Sequence, residues 1–94
     1  MEDALFIGYR YFEFTDQKGQ LQKGDTIYLL QPIEKSVMNK GYMPVTSYDR
    51  YNNRQKYPSV SEEFFKEHKI AEFAVNTPVR IMFNRHDKLV EFNK

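Results

Sequence analysis

The opening run constrains this chain most: Ala4-Leu5-Phe6-Ile7-Gly8-Tyr9-Arg10-Tyr11-Phe12-Glu13-Phe14. Aromatic and branched side chains fit a pleated, half-buried surface better than a helix, so the run reads as a long strand. Gly8 inside it marks a bulge or a bend. Thr15-Asp16-Gln17-Lys18-Gly19 has turn chemistry. Residues 25–33 then form a second strand centred on Ile27-Tyr28-Leu29-Leu30. The two runs are expected to pair as a hairpin with a long, flexible tip. A chain that opens this way is committed to a sheet.

The rest of the chain adds short pieces to that hairpin. Pro32 ends the second strand or places it at an edge, because proline cannot donate to a ladder. Residues 42–48 form a third, weaker strand, and Pro44 argues for an edge position. Residues 50–57 lack apolar periodicity and read as a loop. Ser59 and Glu62 have capping-box spacing at the start of the chain's one good helix, which should stop near Ile70. Val79-Arg80-Ile81-Met82-Phe83 alternates, with Val79, Ile81 and Phe83 facing the core and Arg80 facing out. A turn over residues 84–88 leads to a final strand, Leu89-Val90-Glu91-Phe92.

Ninety-four residues are enough for a single domain, residues 1–94, with a modest core. The absence of cysteine excludes disulfides and thiolate metal sites, and permits a cytoplasmic setting. No apolar run is long enough to span a bilayer, and the acidic start is wrong for a signal peptide, so no membrane association is expected. The net charge of +1 does not by itself mark a nucleic-acid binder. Seven Tyr and eight Phe exceed what a small core holds, so several tyrosines should lie at the surface.

Charge is segregated along the chain. Lys35, Lys40, Arg50, Arg54 and Lys56 face Asp49 alone, whereas Glu62, Glu63, Glu67 and Glu72 outnumber Lys66 and Lys69 in and around the helix. The basic stretch Tyr48-Asp49-Arg50-Tyr51-Asn52-Asn53-Arg54-Gln55-Lys56-Tyr57 interleaves tyrosines with cations and amides. Single-stranded nucleic acid asks for that mixture: cations for phosphates, ring faces for bases, amides for base edges. Tyr48, Tyr51 and Tyr57 are the stacking candidates. Arg50, Arg54, Lys56, Lys35 and Lys40 are the phosphate candidates. The competing reading is an ordinary polar loop with Tyr48 or Tyr57 tucked onto the barrel, or a surface for a protein partner. On the first strand, Tyr9 and Tyr11 share one face and Phe12 and Phe14 the other. If the phenylalanines are core, the tyrosines form a second stacking platform, unless a bulge at Gly8 resets the alternation. Burial on both faces is the alternative, preferred for Tyr11. Arg80 is a further phosphate candidate, or snorkels across the barrel wall. No cysteine nucleophile, phosphate loop or metal motif is present. His68 and His86 lie in separate elements, and the helix acids read as a solvated face. An enzyme is not expected, nor a cofactor or metal.

The order strand, strand, strand, helix, strand, strand is that of the OB-fold, a mainly β, five-stranded Greek-key barrel with a short helix between strands three and four. In this layout, and in Gly8-Tyr9-Arg10-Tyr11-Phe12-Glu13-Phe14-Thr15-Asp16-Gln17-Lys18-Gly19 and Pro78-Val79-Arg80-Ile81-Met82-Phe83-Asn84 leading to Lys88-Leu89, the chain resembles the small OB-fold single-stranded-DNA-binding proteins of phages and bacterial mobile elements. The filamentous-phage helix-destabilising proteins are the best-known small examples. The resemblance implies sequence-tolerant binding of single strands in DNA metabolism, DNA rather than RNA, with a binding face on the second and third strands and a tendency to homodimerise. The alternative function is a small protein-interaction module, a phage or plasmid accessory protein using the same tyrosine- and arginine-rich loop.

Overall fold

The computed structural model describes residues 1–48 and 55–94. The expected sites Arg50, Tyr51 and Arg54 lie outside the described residues. The fold is mainly β, an open antiparallel sheet with one short helix.

The opening hairpin dominates. Strands β1 (Glu2–Thr15) and β2 (Leu21–Pro32) pair along almost their full lengths, from Leu5 opposite Leu30 to Thr15 opposite Leu21. The tip is therefore tight, not long, and Gly24 lies inside β2. One carboxylate organises the tip. Asp16 Oδ1 accepts from the Lys18 and Gln20 amides, both at 2.9 Å, and Oδ2 accepts from Gln22 Nε2 at 3.1 Å. These bonds, the Gln20 amide's foremost, hold the Asp16 carboxyl below its ordinary pKa.

The register slips between Phe6 and Gly8. This bulge leaves one residue of β1 unpaired, and it has a large consequence. Before it, Ala4 and Phe6 point into the core. After it, Tyr9 and Tyr11 continue that face, opposite Ile27 and Asp25, while Phe12 and Phe14 turn away from the core. Gly8 has φ 150°, where a side chain is strained. The reading of Phe12 and Phe14 as core is thus overturned: Phe14 is exposed and Phe12 half-buried.

The free edge of β2 is filled by two separate pieces of chain. At one end β3 (Tyr42–Pro44) pairs with Leu30, Gln31 and Pro32. At the other, β6 (Ser59–Ser61) pairs with Gly24, Asp25 and Thr26. Between them the Val45 amide donates to Leu29 O at 2.9 Å, and the Ile27 amide donates to Pro58 O at 2.8 Å. The chain leaves this lane after Val45 and rejoins it at Pro58. The excursion carries β4 (Ser47–Tyr48), paired with β5 (Gln55–Lys56). The expected continuous third strand over residues 42–48 is therefore split, and Gln55 and Lys56 are strand rather than loop. Proline explains both ends: Pro44 and Pro58 have no N–H with which to extend a ladder.

Because Ser59 is engaged in β6, the helix starts later than its spacing suggested. Helix α1 (Glu62–Glu67) is capped by Ser61, whose Oγ accepts from the Phe64 amide at 3.2 Å. His68 stacks on Phe64 at 3.9 Å, and a short 3-10 turn (Ile70–Glu72) buries Ile70. Strand β7 (Thr77–Phe83) then pairs with the first half of β1, and β8 (Leu89–Asn93) pairs with β7. Val79 and Ile81 are buried as expected and Phe83 packs at the core margin. Phe6, Phe73 and Phe92 meet edge to face at 4.9–6.0 Å.

The main sheet runs β3-β2-β1-β7-β8, with β6 sharing the lane of β3. No pairing among the described residues joins β8 back to that lane, so the expected closed barrel is replaced by an open sheet. The split lane gives the reason. Three residues ending in proline, then an excursion, leave no continuous row of donors and acceptors for β8.

Candidate nucleic-acid interface

An open cleft of about 1080 Å³ runs beside the hairpin, lined by its outward-facing rings and reaching Val60, Phe64 and Leu89 at the edge of the core. Its floor comes from Phe12, Phe14, Thr26 and Tyr28. One wall is the β4–β5 excursion, which brings in Tyr48, Lys56 and Tyr57; the other is the β7–β8 turn, which brings in His86, Asp87 and Lys88. Residues distant in sequence meet here because the bulge turns the phenylalanines outward and the excursion folds back beside β2.

The rings are positioned by backbone. Phe12 lies opposite Gly24 across the hairpin. A Cβ at Gly24 would stand 2.9 Å from Phe12 Cζ and would collide with the Val60 carbonyl, so Gly24 lets both the ring and β6 approach. Phe14 follows Phe12 along the same face, ring centres 6.0 Å apart and tilted 30°. Tyr28 meets Tyr57 edge to face at 4.8 Å, which ties the excursion to β2. Phe14 and Tyr48 are 53% and 58% exposed, and their faces are accessible to a flat ligand.

Cations rim the cleft. Lys23 lies near the hairpin tip, Lys56 on the excursion and Lys88 at the end of the β7–β8 turn. That turn repeats the device of the first: Asn84 Oδ1 accepts from the His86 and Lys88 amides at 2.8 and 3.1 Å, fixing the backbone that carries Lys88.

The structure brings together three of the expected site residues: Tyr48, Lys56 and Tyr57. Tyr9 and Tyr11 lie on the other face of the hairpin. Tyr9 packs edge to face on Phe65 at 4.8 Å yet stays 45% exposed; Tyr11, expected to be buried, is 48% exposed. Lys35 and Lys40 are exposed in the loop beyond the far end of β2, away from the cleft. Arg80 points outward on β7, with its Nε 3.9 Å from Asp3 Oδ1. Sequence reasoning missed Phe12, Phe14, Tyr28 and Lys88 as cleft residues, while Lys23 at the hairpin tip was weighed as a contact to a bound strand against a solvated hairpin. The signal for the phenylalanines was present in Gly8, since a bulge there exchanges the faces of everything after it.

Among the described residues no three His, Cys, Asp or Glu side chains gather as metal ligands. His68 Nδ1 lies 3.0 Å from the Phe64 carbonyl, within the helix's own last turn. Among the described residues no helix is long and apolar enough to cross a membrane. No protein-family model, curated protein or solved structure matches the chain.

Proposed function

We propose that this chain binds single-stranded nucleic acid, DNA before RNA, across the aromatic cleft, and acts as a binding module rather than an enzyme. The observation that carries the reading is the convergence of five aromatic side chains, Phe12, Phe14, Tyr28, Tyr48 and Tyr57, with Lys23, Lys56 and Lys88 on one open surface. Bases of a single strand offer their faces to such rings, and lysines at the rim meet the phosphates. A duplex hides its base faces, so this surface discriminates against it.

The strand order supports the reading. Counting β3 and β6 as one lane, the sequence of lanes and the position of α1 follow the OB-fold path, opened at the seam between the third lane and β8. Binding faces of OB-folds lie on the second and third strands with the adjoining hairpin loops. The cleft takes Thr26 and Tyr28 from β2 and Ser59, Val60 and Ser61 from β6, which supports the reading.

Anisotropy of a labelled oligo-dT, titrated at two salt concentrations with duplex competitor, tests this. The slope of log affinity against log salt should be about −2 if the three lysines each neutralise one phosphate. Duplex of equal length should compete poorly. Salt-independent binding, or none at low salt, would remove the proposal.

A further inference from the structure

The opposite face of the hairpin has the reverse chemistry. Tyr11 donates its hydroxyl to Glu13 Oε2 at 3.0 Å. Asp25 lies directly across from Tyr11 on β2, and Glu62 begins α1 beside it. Among the described residues Asp25 is the one charged residue in the buried set, 5% exposed, and none of them hydrogen-bonds or ion-pairs with its carboxyl. Its oxygens are not sealed, because no fully enclosed side-chain polar atom of the described structure lacks a partner. A buried carboxylate normally has a cation or donors around it. Here burial, and then the charge of Glu62, push the Asp25 carboxyl above its ordinary pKa. Lys23, registered opposite Glu13, belongs by alternation to this same face as well as bordering the cleft, forms no ion pair with Glu13 and is outnumbered by Glu13, Asp25 and Glu62.

Phosphate would be repelled by this face. A small metal ion has no compact ligand set among the described residues. What fits is a flat cation that lies on an exposed ring and pairs with a carboxylate at its edge. A guanidinium does both, stacking on aromatic faces and binding carboxylates through parallel donors. We infer that this face receives an arginine of a basic partner segment, its guanidinium stacked on Tyr11 and paired with Asp25 and Glu62. Tyr9, exposed one step along the strand, extends the platform for a second side chain. The hairpin thus carries two surfaces of opposite charge preference back to back, and this one stands whether or not the cleft binds nucleic acid.

A capped peptide alternating arginine with glycine, titrated at low salt and followed by calorimetry, is the test, with its lysine counterpart and oligo-dT run in parallel. The expected result is saturable binding, tighter for arginine than for lysine. Asp25→Asn and Tyr11→Ala should each weaken it about tenfold, and Tyr11→Phe should retain it. Glu62→Gln, on the partly exposed rim, checks the same site without touching the buried position. Undiminished binding by Asp25→Asn and Glu62→Gln, absence of saturable binding, or displacement of the peptide by oligo-dT would each overturn the inference.

Discussion

The two faces of the β1–β2 hairpin share one backbone and oppose each other in chemistry. One carries Phe12, Phe14 and Tyr28 beneath a rim that includes Lys56 and Lys88. The other carries Tyr9 and Tyr11 beside Glu13, Asp25 and Glu62. Both expose aromatic rings, so the rings alone do not choose the ligand. The charge around them does: lysines favour phosphate on one side, and carboxylates favour a cation on the other. The bulge at Gly8 decides which rings go where. Without the register slip, Phe12 and Phe14 would share the core face with Ala4 and Phe6, and the tyrosines would join the lysine-rimmed side.

The strongest way to break the comparison is to strip the rings from one face and look for an effect on the other. Phe14→Ala with Tyr48→Ala removes two exposed stacking surfaces and should cost oligo-dT binding about 2–6 kcal/mol, at 1–3 kcal/mol per base. Tyr9→Ala and Tyr11→Ala should leave that affinity unchanged. Equal losses from both faces, measured by anisotropy, would show that the strand does not distinguish them.

Next in size are the two glycines that build the faces. Gly24→Ala forces Phe12 and β6 away from β2 and should destabilise the fold by about 1–3 kcal/mol, measured by urea denaturation. Gly8→Ala strains the bulge and should cost about 1–3 kcal/mol. If the Gly8 variant instead keeps its stability and loses oligo-dT binding, the bulge has been abolished and the two sets of rings have changed places.

The sequence made the sheet legible because its signals were local. The aromatic run, the Asp16 and Asn84 turns, the Pro32 stop and the alternation of Val79 and Ile81 each act within a few residues. The site was less legible because its geometry rests on events that act at a distance. A one-residue bulge at Gly8 inverts every later side chain of β1, and periodicity counted across it assigns Phe12 and Phe14 to the wrong face. The third lane was hidden for a similar reason. Ser59-Val60-Ser61 has capping chemistry and strand character together, and the choice was made by pairing with Gly24, Asp25 and Thr26, residues far away in sequence. Tyr48 and Tyr57 were legible as candidates because a polar stretch that interleaves tyrosine with cations needs no register to be read.

The smallest expected effect concerns pH, and it separates the faces without mutating a ring. Asp25 has its carboxyl pKa raised in the folded chain, so the native state holds its proton more tightly than the unfolded state does. Its contribution to stability is fully present below the unfolded value of about 3.9 and is lost as pH rises through the folded one. Asp16 has the opposite sign: its hydrogen bonds depress the pKa, so its contribution is present above the unfolded value and is lost as pH falls through the folded one. Asp25→Asn should therefore be more stable than the parent at neutral pH, with the gap closing as acid protonates the parent's carboxyl. Asp16→Asn should be less stable at neutral pH, with its gap also narrowing in acid. Urea midpoints between pH 3 and 7 give both differences. An arginine peptide bound at Tyr11 should supply the missing cation, raise the parent's neutral-pH stability and leave the Asp25→Asn midpoint nearly where it was. Oligo-dT, held on the other face, should stabilise parent and Asp25→Asn alike.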